Sequence, residues 1–148
     1  MRYYYLLLSI ILISCDNTIY ENYYSFHNNG WHTDSAITLS YIILDTNKTY
    51  SLSLKIRHTV DYEFRNLFVF LEDRNKDTVE IILANKNGKW LGEGISDIRE
   101  FEYVFDNQRS FIRQGGYSVK LEQAMRYGEE AKREVLEHVL DIGLIVSE

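Results

Sequence analysis

The one cysteine of the sequence lies directly behind a short apolar segment near the N-terminus. Residues 6–13 are apolar except for Ser9, and Leu12-Ile13-Ser14-Cys15 then places a leucine and a small residue ahead of the cysteine. This order resembles a bacterial lipobox, in which a signal peptide is cut before a cysteine whose sulfur carries lipid. The apolar segment is too short to span a bilayer, which takes about 20 apolar residues, but it fits a signal-peptide core. We therefore predict a signal peptide at residues 1–14 and lipidation of Cys15.

The same segment could be an ordinary signal peptide or a buried strand with an incidental cysteine. Neither alternative accounts for the order of leucine, any residue, small residue and cysteine. If Cys15 carries lipid, its thiol is consumed, and disulfide bonds, thiolate metal sites and cysteine catalysis are excluded. Each buried methylene contributes about 0.8 kcal/mol, so two acyl chains would hold the protein on a membrane almost permanently.

The remaining residues with metal-binding or catalytic side chains form no pattern that predicts a reaction. The four histidines stand in separate segments without the spacing of metal ligands: His27, His32, His58 and His138. The segment Asp73–Asp77 alternates oxygen ligands like a calcium loop, but it lacks the central glycine and the closing glutamate. Nucleophile motifs and phosphate-binding glycine loops are absent. We predict no metal, no cofactor and no enzymatic activity.

Length and charge narrow the possible partners. The chain has 148 residues, the size of one domain, and a net charge of −6 that becomes −7 without residues 1–14, which carry Arg2. This acidic balance argues against nucleic acid and against electrostatic adhesion to anionic lipid. We expect protein partners and a membrane contact through lipid rather than a small-molecule substrate.

Alternating apolar residues predict a mainly β fold. Tyr50, Leu52, Leu54 and Ile56 alternate with polar residues, as in a strand with one wet face. Asp45–Lys48 has turn chemistry and predicts that this strand forms a hairpin with the one before it. The other predicted strands are residues 37–43, 67–71, 79–83, 101–105, 111–112, 117–122 and 142–146. About eight short strands indicate an antiparallel, jelly-roll-like β-sandwich.

Two segments are assigned differently. Residues 129–140 place Ala131, Val135 and Val139, with Leu136 and Leu140, at helical spacing, which predicts one short α-helix between the last two strands. Residues 15–30 are polar with scattered aromatic residues and are interpreted as the lipidated N-terminus and a tether. The sandwich domain is accordingly predicted at residues 31–148.

Glycines beside a tryptophan mark a second candidate site. Trp90 is followed by Gly92 and Gly94, a spacing that predicts a tight corner or a recognition loop with an aromatic platform. The buried corner is the favoured interpretation. Arg126 could pair with Asp97 and fix the end of the sandwich, or it could meet a partner carboxylate; the pair is favoured. The complete candidate set is Trp31, Trp90, Gly92, Gly94, Asp97, Gln123 and Arg126.

Several motifs run in order along nearly the whole chain. They are Cys15, Gly30-Trp31, Tyr62 with Asn66-Leu67-Phe68, Gly88-Lys89-Trp90-Leu91-Gly92-x-Gly94, Ser96-Asp97-Ile98, Gly116-Tyr117, Glu122-Gln123-Ala124-Met125-Arg126 and Asp141-Ile142-Gly143-Leu144. Together they resemble the gliding-motility lipoprotein GldH family of Bacteroidetes. One departure is Ile112, since a proline is expected after Phe111. The resemblance implies an envelope lipoprotein of gliding motility linked to type IX secretion, with Cys15 as the lipid attachment point and no catalytic residues.

Three functional hypotheses follow. The leading one is a lipid-anchored accessory or structural component that contacts other envelope proteins of the motility and secretion apparatus, at the periplasmic side of the outer membrane. The alternative is a carbohydrate-binding sandwich that stacks sugars on Tyr23, Tyr24, Trp31 and Trp90. A hydrolase with dispersed carboxylates is the third and would need a deep pocket with two such groups.

Overall fold

The chain forms ten β-strands in the residues that a computed structural model describes, namely 17–27, 30–126, 128–129 and 132–148. The strands are β1 (Thr18–Ser25), β2 (Trp31–His32), β3 (Ile37–Ile43), β4 (Thr49–Thr59), β5 (Asn66–Glu72), β6 (Lys76–Ile82), β7 (Ile98–Ser110), β8 (Gly115–Gln123), β9 (Val135–Leu136) and β10 (Val139–Ser147). These ranges contain no helix suited to cross a membrane. The predicted signal peptide and Cys15 lie outside them.

The strands build an antiparallel β-sandwich, as predicted. The first sheet has the order β1-β10-β4-β7, the second has the order β3-β8-β5-β6, and β2 pairs with β9. Alternate residues of β3 and β4 point into the core, where Leu39 and Ile43 are buried with Leu54 and Ile56. Full burial of such a side chain contributes about 1.5–3 kcal/mol, so these inner faces hold the two sheets together.

The predicted hairpin of residues 37–43 and 50–57 is wrong. The turn exists, with the amide of Asn47 donating to Asp45 Oδ1 at 2.9 Å, but β3 pairs with β8 whereas β4 pairs with β10 and β7. The turn therefore carries the chain from one sheet to the other. Both strands bury an apolar face, and those faces meet across the core instead of side by side, which local turn chemistry does not specify.

The predicted helix is also wrong. Within the described part of residues 129–140, β9 covers Val135–Leu136 and β10 begins at Val139. Trp31 pairs with Leu136, and the chain then turns directly into β10. Apolar residues four apart are also compatible with two short strands on either side of a turn. The pairing of β9 with β2 and of β10 with β4 favours these strands over a helix.

The tether interpretation needs correction, because β1 occupies Thr18–Ser25. This strand pairs with β10, from Thr18 opposite Ser147 to Ser25 opposite Asp141. Tyr23 lies over Gly143, where a Cβ would overlap the tyrosine ring. As an edge strand with much of its surface exposed, β1 carries polar residues and looks like a linker in sequence. The folded domain thus includes these residues and does not begin at Trp31.

The short strand predicted at Phe111-Ile112 is not formed, since both residues lie in the loop between β7 and β8. This loop belongs to what we call the N-terminal end of the sandwich, where β1 begins, β10 ends and β4 begins. Ser147 pairs there with both Thr18 and Ser51. At the opposite end, called the distal end, Thr59 of β4 pairs with Ile98 of β7.

Candidate functional site

The candidate residues nominated from sequence lie around the distal end. Trp31 stands in β2, and Gln123 ends β8. The segment with Trp90, Gly92 and Gly94 connects β6 to the start of β7. Although these residues are far apart in sequence, the strand topology brings them to the end that is remote from the N-terminus.

Trp31 is a core residue. Its side chain is 0% exposed, its ring stacks on Phe26 at 5.1 Å between centroids, and its indole Nε1 donates to the carbonyl of Ser35 at 2.8 Å. A buried ring cannot stack on a sugar, so the carbohydrate-binding hypothesis loses one of its two tryptophans.

Trp90 is half-buried and packs over the end of the core. Its ring centroid lies 4.5 Å from that of His58, edge to face, and 6.4 Å from that of Tyr62. Its backbone forms an isolated bridge with Ala84. The Trp90 ring therefore packs against other aromatic rings of the protein itself.

The two glycines permit a close approach of backbones. Glu93 and Glu100 exchange two backbone hydrogen bonds of 3.0 and 2.7 Å. A Cβ on Gly92 would overlap the carbonyl of Glu100, and a Cβ on Gly94 would overlap the carbonyl of Ile98. The spacing of these glycines is thus explained by backbone packing at the corner.

Gly94→Ala is expected to destabilise the protein by about 2 kcal/mol, because the added methyl group must push the Ile98 backbone away. Chemical unfolding of the purified protein measures the loss. Gly116→Ala is the matched control, since a Cβ there meets nothing within 4 Å. Equal stability of the two variants would contradict the proposed close approach.

Asp97 and Arg126 do not form the predicted ion pair among the described residues. The carbonyl of Asp97 accepts a hydrogen bond from the amide of Val60 at 2.7 Å, whereas Arg126 lines a depression of about 280 Å³ with Phe68 and Phe70. The two residues belong to separate parts of the distal end, so the expectation of a pair was wrong.

Gln123 organises the loop that follows β8. Its side chain is buried, its Nε2 donates to the carbonyl of Arg133 at 2.6 Å, and its Oε1 accepts from the amide of Met125 at 2.9 Å. Arg133 also donates its own amide to the carbonyl of Met125 at 2.9 Å. One buried amide thereby holds both ends of the loop, so sequence reasoning found the residue without its role.

His58 was not singled out in the sequence, yet it occupies the centre of this end. It is completely buried, and its Nδ1 lies 2.9 Å from the carbonyl of Thr59, as expected for a neutral ring that donates from Nδ1. Its Nε2 has no hydrogen-bond partner within the described ranges. Burial lowers the pKa of His58, and the charge of Arg99 acts in the same direction.

Stability is expected to fall in mild acid because of His58. The unfolded chain protonates this side chain near pH 6.5, whereas the folded protein keeps it neutral to lower pH. The free energy of unfolding should therefore drop below about pH 6.5, by at most about 1.4 kcal/mol per pH unit. Unfolding curves between neutral and mildly acidic pH should show this dependence in the wild type and in His32→Gln, an exposed control, but not in His58→Phe. The same dependence in His58→Phe would contradict it.

Comparison with known proteins identifies the family to which this fold belongs. The sequence model described as GldH lipoprotein matches residues 18–146, from the start of β1 nearly to the end of β10. The chain belongs to the GldH lipoprotein family. Its resemblance to that family in the sequence motifs is thereby confirmed.

Two relatives support this assignment. The chain is 32% identical to the gliding motility lipoprotein GldH of Flavobacterium johnsoniae, covering 97% of this chain and 93% of that protein. It is 34% identical to a gliding motility lipoprotein GldH homolog of Christiangramia forsetii, covering 90% and 86%. Neither name refers to an enzymatic reaction. A solved structure of the infectious bursal disease virus VP2 subviral particle is 14% identical, and the match covers 86% of this chain and 30% of the viral chain. Its TM-score of 0.28 is too low to indicate a shared fold.

A cleft of about 420 Å³ at the N-terminal end of this GldH family member was also missed. Arg109 is one of its lining residues; it pairs with Asp73 and holds its Nε 3.3 Å from Asp106 Oδ2. The two carboxylates compensate the charge of the buried guanidinium. Asp73, considered above for a calcium loop, instead serves this buried ion pair.

Metal-binding side chains do not converge in the part of the chain that the structure describes. No group of three or more among His, Cys, Asp and Glu comes together there.

Proposed function

We propose that this GldH family member is held on the cell envelope by lipid on Cys15 and acts as a non-enzymatic component of the gliding motility machinery. The observation that carries the proposal is the position of β1, which begins three residues after Cys15. The lipid attachment site thus borders a folded sandwich, and the family match covers that same sandwich.

A structural or accessory role agrees with how the distal end is built. Of the residues nominated there, Trp31 fills the core, Gln123 holds a loop, and Gly92 and Gly94 permit close backbone packing. A partner protein would meet the exposed surface around them, which includes the exposed apolar side chains of Leu91, Ile95 and Ile98. We place this end towards the periplasm, with the anchor in the outer membrane. The functional link to type IX secretion is the one that the family resemblance implies.

Deletion of the gene in its bacterium is the direct test. We expect the deletion strain to lose colony spreading and to export fewer type IX secretion substrates, and the wild-type gene to restore both. Unchanged spreading in the deletion strain would overturn the proposal. Lost spreading with normal secretion would retain the motility role and reject the secretion link.

The distal end can be tested separately with Ile95→Asp, because Ile95 is 89% exposed and its replacement removes no core packing. We expect normal membrane anchoring and impaired spreading. Val104→Asp is the control, since Val104 is also exposed but lies along β7, away from the distal end. Equal effects of the two substitutions would argue against the distal end as the partner surface.

A further inference from the structure

We propose that the N-terminal end of the sandwich rests on the lipid bilayer, with Leu44 and Ile112 inserted at the boundary between headgroups and acyl chains. The inference rests on the proposed lipid attachment at Cys15. It adds an orientation and a second, non-covalent membrane contact to that anchor.

The chain leaves little distance between the anchor and the folded domain. Asn17 is two residues after Cys15, and consecutive Cα atoms are about 3.8 Å apart. Asn17 is already tied to the sandwich, since its carbonyl accepts a hydrogen bond from the amide of Glu148 at 3.1 Å. Thr18 then pairs with Ser147. A lipidated Cys15 therefore holds this end, and no other, against the membrane surface.

Two large apolar side chains project from the same end. Leu44 is 75% exposed and Ile112 is 95% exposed. Strand register places them close together, because Ile43, which precedes Leu44, pairs with Gly115, which closes the loop carrying Ile112. Exposed apolar groups beside a membrane anchor suit insertion into the bilayer interface.

The loop that carries Ile112 is held in place from inside. Phe111 is buried, with ring centroids 5.7 Å from Tyr50 and 4.6 Å from Tyr117. The hydroxyl of Tyr117 donates to the carbonyl of Arg113 at 2.7 Å. Since Phe111 takes the inward position and the hydrogen bond fixes the turn, Ile112 is directed outward. An outward isoleucine on a held loop is prepared for insertion without further ordering.

Charges at this end are largely paired within the protein. Lys48 contacts Glu148 at 2.6 Å, Arg74 contacts Asp106 at 3.3 Å, and Arg109 pairs with Asp73. The proposed contact is the apolar one of Leu44 and Ile112, with exposed Arg113 as the one basic residue of that loop outside these pairs. The negative charge of the whole chain opposes general adhesion to anionic lipid. A protein partner at this end would have to share the space next to the anchor with the bilayer itself.

A matched pair of cysteine variants tests the orientation. Ile112→Cys and Ile95→Cys introduce a thiol at opposite ends of β4 and β7, roughly 30 Å apart at about 3.3 Å per residue. In lipidated protein the sulfur of Cys15 is already bonded, so the new thiol is the only reactive one. The protein is reconstituted in phosphatidylethanolamine–phosphatidylcholine vesicles, and the reaction of each thiol with a water-soluble maleimide is timed. The same variants carrying Cys15→Ser, free in buffer, give the reference rates.

On vesicles we expect the thiol at position 112 to react about tenfold more slowly than its reference. Transfer of a side chain of this size from water into the bilayer favours the inserted, unreactive state by about that factor. The thiol at position 95 should react at its reference rate. Adding phosphatidylglycerol should change neither rate. A fluorophore at position 112, but not at position 95, should also be quenched by nitroxide-labelled lipids.

The outcomes separate the two proposals. If the protein is acylated and floats with the vesicles while both thiols react at their reference rates, the docking is overturned and the anchor stands. If the protein is not acylated and does not float, the anchor fails and the docking fails with it. Protection at position 112 that requires phosphatidylglycerol, or that occurs only in native envelopes with other proteins present, overturns the apolar bilayer contact.

Discussion

Cys15→Ser is expected to remove the protein from the membrane fraction almost completely. Serine cannot form the thioether, and each methylene that leaves the bilayer costs about 0.8 kcal/mol, so the loss of two acyl chains removes nearly all of the binding energy. The apolar contact of Leu44 and Ile112 is too small to hold the protein without them. Fractionation of cells and incorporation of labelled fatty acid measure the effect.

The fold should survive this substitution, because the strands of the described residues begin at Thr18, after the position that changes. Its unfolding midpoint should equal that of wild-type protein measured in detergent. Ser14→Ala is the matched control, since it keeps a small residue before the cysteine and should preserve acylation. A Cys15→Ser protein that stays in the membrane fraction would indicate an uncleaved N-terminal anchor and would remove the assignment of Cys15.

Trp31→Ala is expected to destabilise the sandwich by about 4 kcal/mol, the largest stability effect that we predict. The ring is completely buried, stacks on Phe26 and donates to the carbonyl of Ser35. Truncation leaves a cavity between β2, β9 and the end of β1, and cavities of this size cost about 3–5 kcal/mol. Urea unfolding of the Cys15→Ser protein gives the value without interference from lipid.

Trp31→Phe separates packing from recognition. It keeps an aromatic ring in the core and loses the indole N–H, so the expected loss is only about 1–2 kcal/mol. Cells with this variant should spread normally. A folded Trp31→Phe protein that abolishes spreading would assign Trp31 a role in recognition, and a loss below about 1 kcal/mol for Trp31→Ala would contradict its burial.

Individual strands were predictable where apolar residues alternate or run together. The strand at Tyr50–Ile56 and the central strand at Leu67–Leu71 both lie within strands of the structure, β4 and β5. Their partners were not predictable, because each strand is paired by residues distant in the sequence. The assumed hairpin failed for this reason, and the polar edge strand β1 was taken for a tether.

The candidate site divides in the same way. The spacing of Gly92 and Gly94 predicted a tight corner. The structure gives the reason, because the carbonyls of Glu100 and Ile98 lie where a Cβ would be. His58 and the pair of Arg109 with Asp73 gave no local signal, since their chemistry comes from burial and from partners on other strands. A lone histidine within a strand looks the same whether it is buried or exposed.

The sequence by itself determined the family and the β composition, and it predicted a lipid at Cys15. An ordered set of motifs indicated the family, alternating apolar residues indicated the strands, and a short motif before Cys15 indicated the lipid. Each of these patterns can be seen in the sequence without knowledge of tertiary contacts. Tertiary structure alone decided which strands pair, that β1 belongs to the sandwich, and that the start of β1 and the candidate residues lie at opposite ends. Those properties arise from contacts between distant segments, where burial and strand register outweigh local preference.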